Sequence, residues 1–253
     1  MENNNLTSET IRYHFDMLRD DVGKIVDKLN GNLGFYAFRY EEKIKTTEVV
    51  YDTPDNLLSS VGIILSKLFM NNKIGFYVRK ITRLPSEMKR PSKRVKIADC
   101  GPRETPKTFT LQVSQAINNA FPSIFTIDMA EVVEKTMPKI QIDIKGQSYN
   151  ISGGTGFKGR IIFEDVVYRD LVTRKKAKGK TVTLILPVDE EYESDNENVL
   201  DGIERFCKEL IPYKETRVEI AERVLYPKKQ SKIGMKELLR QEKESKKKKK
   251  EEE

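Results

Sequence analysis

One histidine and two cysteines set the first limit on the chemistry open to this 253-residue chain. His14 has no second histidine, no nucleophile motif and no acid at triad spacing, so it reads as a structural or hydrogen-bonding residue of a strand. Cys100 and Cys207 cannot form a disulfide framework or a Cys/His zinc site, and any metal would have to sit on oxygen ligands. The string Gly153-Gly154-Thr155-Gly156-Phe157-Lys158-Gly159 would let backbone amides approach an anion. Its spacing is wrong for a phosphate loop, which needs four residues between its first glycine and a Gly-Lys-Ser/Thr, so a hairpin turn is expected. The sequons at Asn5 and Asn150 mean nothing without secretion.

Charge is the more informative signal. The chain carries 46 Lys and Arg against 39 Asp and Glu, net +7, and 34% of its positions are charged, well above the roughly 25% usual for soluble domains. No apolar run approaches the roughly 20 residues of a spanning helix, and MENNNLTSET lacks a secretory signal, so no membrane and a cytoplasmic location are expected. The excess is uneven. Residues 227–253 hold 11 basic and 6 acidic side chains and are expected to be a charged, disordered tail. Residues 67–107 hold 12 basic and 3 acidic, and residues 189–209 hold 9 acidic and 2 basic. Locally basic surfaces attract phosphates or nucleic acid, and equally serve as solvated faces.

These groups need elements to hold them. Apolar spacing of three and four over Asp16 to Asn30 predicts a helix, after a short strand over Thr10 to Phe15. Gly34 to Asp52 reads as a long strand or hairpin arm, and Asn56 to Lys67 as a short helix running into a strand at Ile63. Ile74 to Leu84 predicts a strand, and the proline-rich, cationic stretch Pro85 to Lys107 a loop. Helices are expected over Leu111 to Ala120, Ile127 to Lys135 and Asn198 to Leu210. Strands are expected over Lys139 to Ile144 with a turn at Gly146, Gly159 to Arg169 and Thr181 to Val188, and a last strand or helix over Thr216 to Leu225. Strands outnumber helices, which favours an α+β fold with an antiparallel sheet.

The stretch Val49-Val50-Tyr51-Asp52-Thr53-Pro54-Asp55-Asn56-Leu57-Leu58, followed by Val61-Gly62-Ile63-Ile64-Leu65-Ser66-Lys67, resembles the CYTH domains, the triphosphate tunnel metalloenzymes. In that family a strand ends in a Tyr-aromatic-Asp-Thr-Pro-Asp turn and runs through a short helix and a glycine into a strand with basic residues. Ile162 to Tyr168 is similar to its late strand, and Tyr213 to Leu225 to its closing segment, with Arg217 where a lysine is usual. The resemblance covers about residues 10–226. It implies a closed antiparallel β-barrel with flanking helices, a single domain over residues 1–226, and a tunnel whose cations grip a triphosphate while glutamates hold Mg²⁺ or Mn²⁺.

The sequence departs from that recipe. The first strand should read Glu-x-Glu-x-Lys, and the best match is Thr10-Ile11-Arg12-Tyr13-His14-Phe15. A later Glu-x-Glu strand reads Thr183-Leu184-Ile185-Leu186, and paired arginines become Ser66 and Leu68 with Lys67 shifted to the opposite face. Retained cations at Arg12, Lys80, Arg83 and Arg217 are the expected phosphate-binding residues, with no catalytic residue assigned and no metal ligands. The resemblance thus implies a diverged, non-hydrolytic protein binding triphosphate, polyphosphate or another phosphorylated small molecule, without a cofactor. Two alternatives stay open. One is a metal-dependent triphosphatase or adenylate cyclase-like enzyme using Mg²⁺ or Mn²⁺ on Glu41, Glu48 or Glu219, with Asp189, Glu190, Glu191 and Glu193 read instead as a solvated loop. The other is nucleic-acid association through residues 86–107, the Arg174 to Lys180 run and the tail.

Overall fold

Alternation along the first strand separates two environments. In β1 (Thr10–Met17) the side chains of Tyr13, Phe15 and Met17 are buried, while Arg12, His14 and Asp16 take the other face. The computed structural model describes residues 10–18, 21–70, 73–80, 94–120, 128–154, 156–213 and 215–227. Among them, nine strands form one sheet: β1, β2 (Tyr36–Asp52), β3 (Ile63–Met70), β4 (Lys73–Lys80), β5 (Arg94–Asp99), β6 (Met137–Gly153), β7 (Lys158–Asp170), β8 (Lys176–Pro187) and β9 (Leu210–Tyr213). Their order is β5-β4-β3-β2-β6-β7-β8-β1-β9, and every ladder is antiparallel.

Five helices lie outside the sheet or at its margins, and one lies against the inner face. On the outer face, α1 (Val22–Asn32) and α5 (Glu193–Phe206) bring Ile25, Val26, Leu29, Val199 and Ile203 onto Phe15, Phe163, Val182 and Leu184. Further along, α2 (Leu57–Ser60), α3 (Thr110–Ala120) and α4 (Met129–Glu134) cover Leu65, Phe76 and Val78. The last helix, α6 (Arg217–Leu225), packs Val218, Ile220, Ala221 and Leu225 on the inner-face residues Ile140, Ile142, Ile144, Val166 and Tyr168. Burial of Val218, Ile220 and Leu225 contributes about 1.5–3 kcal/mol each, so the helix is held firmly.

Several boundaries differ from the sequence expectation. Asp16 and Met17 belong to β1, so α1 begins only at Val22, where Asp21 accepts a hydrogen bond from the Lys24 amide. Within the expected loop, Arg94–Asp99 forms β5. Gly146 opens no turn: β6 runs through it, and a Cβ there would collide with the Phe163 carbonyl oxygen of β7. The glycine string does join β6 to β7 as a hairpin, with Gly153 N donating to Phe157 O.

The closed barrel is not seen as a hydrogen-bonded ring. Among the described residues no ladder joins β5 to β9, which leaves two sheet edges. The sheet is nevertheless strongly curled. β3 and β8 are four strands apart, about 19 Å across a flat sheet. Even so, the short helix α6 reaches both: Arg217 bonds Thr183 of β8, and Val218 and Ile220 share one cluster with Ile64 of β3. The inner faces therefore turn toward one another.

Candidate functional site

The curl gathers charged side chains from separate elements around His14. Arg12 and His14 come from β1, Glu48 from β2, Arg79 from β4, Glu164 from β7, Thr181 and Thr183 from β8, and Arg217 from the first turn of α6. Arg217 is placed by a capping box. Thr216 Oγ1 accepts from Glu219 N at 3.3 Å, and Glu219 Oε2 accepts from Thr216 N at 2.7 Å. With the first turn fixed, Arg217 Nη2 donates to Glu164 Oε1 at 2.8 Å, to Glu164 Oε2 at 2.7 Å and to Thr183 Oγ1 at 2.9 Å.

Thr181 and Thr183 hydroxyls both reach Glu164 Oε2, at 2.9 and 3.2 Å. Thr183 Oγ1 also lies 3.0 Å from His14 Nδ1, as acceptor or donor according to the imidazole tautomer. The His14 pKa is held well below 6.5, first by burial and then by Arg217, Arg12 and Arg79, against a smaller opposing pull from Glu48. The field at His14 is positive. Glu164 and Glu48 are almost fully buried, and each has an arginine partner: Glu48 Oε1 lies 3.4 Å from Arg79 Nη2.

Of the expected phosphate-binding residues, Arg12 and Arg217 meet here. Lys80 ends β4 in the register position opposite Ile63, and Arg83 lies outside the described residues. Residues that the sequence reading passed over, Arg79, Glu164 and Thr183, complete the cluster. Arg12-x-His14 and Thr181-x-Thr183, polar residues two apart between apolar ones, are the signal that marks a polar inner face. Two buried carboxylates share the cluster: Glu48, named above as a possible metal ligand, and Glu164, which was not. Lys67 does take the opposite face, buried, donating to the carbonyls of Gly101, Pro102 and Glu104 at 2.8, 2.9 and 2.6 Å. It is a structural tie for that loop.

The carboxylates that could replace lost metal ligands are otherwise engaged. Glu41 accepts from Arg160 Nη2 and Ser148 Oγ, each at 2.9 Å, Glu48 pairs with Arg79, and Glu219 closes the capping box. Among the described residues no group of three or more His, Cys, Asp or Glu side chains is arranged to hold a metal ion. Mg²⁺ and Mn²⁺ need several oxygen ligands, and Glu41, Glu48 and Glu219 are each held by another partner. Among the described residues no helix is long and apolar enough to cross a membrane.

The sequence matches no family model and no curated protein. Solved structures do match. HpAC1 from Hippeastrum, for which a dominant triphosphatase activity is reported, aligns at TM-score 0.52 and 10% identity, over 84% of this chain and 95% of that one. The PH1819 protein from Pyrococcus horikoshii OT3 aligns at TM-score 0.47 and 10% identity, over 83% and 97%. At such identity the likeness speaks to architecture alone. The antiparallel sheet with its flanking helices is thus a fold shared with HpAC1.

Proposed function

We propose that the inner face is a tunnel-like site for a phosphorylated anion, a triphosphate, polyphosphate or phosphorylated small molecule, held without hydrolysis. The observation that carries this is the convergence of Arg79 and Arg217, from β4 and α6, on the inner face that holds Arg12 and His14, where they meet the buried carboxylates Glu48 and Glu164. In a desolvated trough such a gathering of arginines favours an oxyanion, and arginine forks match phosphate oxygens. Arg79 joins Arg12 and Arg217 in the proposed set, and Arg83, outside the described residues, stays a proposed member; Lys80 follows Arg79 along β4, where successive positions take opposite faces, and leaves the set. Residues 1–226 are the binding unit in this reading, and residues 227–253 a charged appendage.

The non-hydrolytic half of this reading is supported by the engagement of Glu41, Glu48, Glu164 and Glu219 with arginines, hydroxyls or a helix cap. Calorimetry with tripolyphosphate, with and without Mg²⁺, tests both halves. Binding without the metal and no phosphate release is expected. Mg²⁺-dependent phosphate release would restore the triphosphatase or cyclase alternative, and absence of binding would remove the anion site. For nucleic acid, residues 86–93 and 228–253 lie outside the described residues, and elsewhere Lys96 pairs with Asp99 and Lys180 with Asp165. No further observation favours that partner.

A further inference from the structure

Toward the turn between β3 and β4, the outer face of the sheet passes beyond the cover of α2, α3 and α4, and a groove of about 820 Å³ opens there. Its size is within the range that takes small ligands. Thr47 of β2, Phe69 of β3 and Ile74 of β4 stand side by side across its floor, with Val49 two residues further along β2. Met70, 45% exposed, closes the turn end, and Lys45 and Lys73 lie at that same end. Among the described residues no carboxylate lines the groove. Its cations and its apolar floor are thus separated along one axis. From Lys45 to Val49 the floor runs roughly 13 Å at the usual strand rise. Beyond Val49 it ends, because Lys67, the ladder partner of Val49, holds the carbonyls of Gly101, Pro102 and Glu104.

The strand register supplies a second observation. Lys45 stands directly opposite Lys145 in the β2–β6 ladder, and like charges so placed cost stability. Asp165, on the other side of Lys145, is engaged by Lys180 at 3.1 Å. An anion at the turn end relieves that repulsion, and lysine ammoniums bind phosphate as point charges. The floor itself has no donor to give: Thr47 Oγ1 and Gln141 Nε2 both donate to Asp143, each at 2.9 Å. A polypeptide backbone laid there would find no partner, whereas an alkyl chain needs none. We infer that this groove binds an anionic amphiphile as a single molecule. Its phosphate or carboxylate head sits by Lys45 and Lys73, near Lys145, and its alkyl chain lies over Phe69 and Ile74 toward Val49.

Titration of dodecyl phosphate, kept below its micelle concentration, into the full chain tests this by calorimetry. Two variants change exposed side chains only: Lys45→Gln with Lys73→Gln, and Met70→Gln. Dodecyl phosphate should bind the parent chain and bind either variant at least tenfold more weakly. Dodecyl maltoside, which keeps the chain without the charge, and ethyl phosphate, which keeps the head without the chain, should each bind the parent at least tenfold more weakly than dodecyl phosphate. Absence of dodecyl phosphate binding, equal affinity in the parent and the lysine variant, or ethyl phosphate binding as tightly as dodecyl phosphate would overturn the proposal. So would attachment to phosphatidylglycerol vesicles that the lysine variant loses and Met70→Gln leaves unchanged, which would assign these cations to a bilayer surface. Tripolyphosphate binding, which reads the arginine cluster, should be unchanged in the lysine variant, so the two sites fail separately.

Discussion

At Thr183 a single hydroxyl oxygen joins His14, Glu164 and Arg217, and this arrangement decides how the cluster answers substitution. Glu164→Gln keeps the shape and the acceptor but removes the charge that occupies Arg217. Because it leaves a buried arginine without its carboxylate, the fold should lose roughly 3 kcal/mol, read from urea denaturation. Tripolyphosphate affinity should rise by about tenfold as the released guanidinium turns to the ligand. Weaker binding in the variant would count against the anion-site reading. His14 makes a second prediction. Its pKa in the fold is below 6.5, so the unfolded chain takes up the proton more readily between the two values. Stability is therefore complete above about pH 6.5 and declines as acidification protonates His14. His14→Asn should flatten that decline, measured as denaturation midpoints at pH 7.5 and 5.5. Parallel slopes for the two proteins would assign the acid sensitivity elsewhere. Cys207, by contrast, is inert: burial raises its thiol pKa to about 11.

Among the elements, α6 couples stability to the site. Thr216→Ala removes the hydroxyl that accepts from Glu219 N, which should cost about 1 kcal/mol in thermal denaturation and loosen the turn that carries Arg217. Anion affinity should fall with it although Thr216 is not part of the cluster; unchanged affinity would show that packing of Val218 and Ile220 places Arg217 unaided. The legible parts of the sequence were those where one local rule dominates. Alternation over β1 and the turn at Thr53-Pro54-Asp55 follow from the residues there. Asp52 confirms the latter, its carboxylate accepting from the amides of Thr53, Leu58 and Ser59. What stayed hidden depends on distant partners. Arg94–Asp99 forms a strand because β4 offers it a ladder, which its proline-rich flanks conceal. Gly146 is needed for close approach of β7, a demand that sequence alone presents as a turn. The long-range pairing of Arg79 with Glu48 and Arg217 with Glu164 likewise has no local signature.

For the whole molecule, an antiparallel sheet with flanking helices was legible from the strand count, whereas the lack of a β5–β9 ladder among the described residues was not, since pairing between the first and last strands of a sheet is set by curvature. The two edges left among the described residues have their own consequence. An exposed strand margin offers unpaired amides and carbonyls to any neighbouring chain, and would seed end-to-end growth of the sheet. At one margin, β9 is four residues long and contains the exposed Pro212, which has no N–H to offer. At the other, β5 carries Lys96, whose ammonium resists being covered. Pro212→Val should therefore leave the anion site intact yet make concentrated samples scatter light over time, while the parent chain stays clear. A curled sheet guarded in this way can remain unsealed and still keep to itself, free to breathe at its seam without recruiting a second copy as the missing stave.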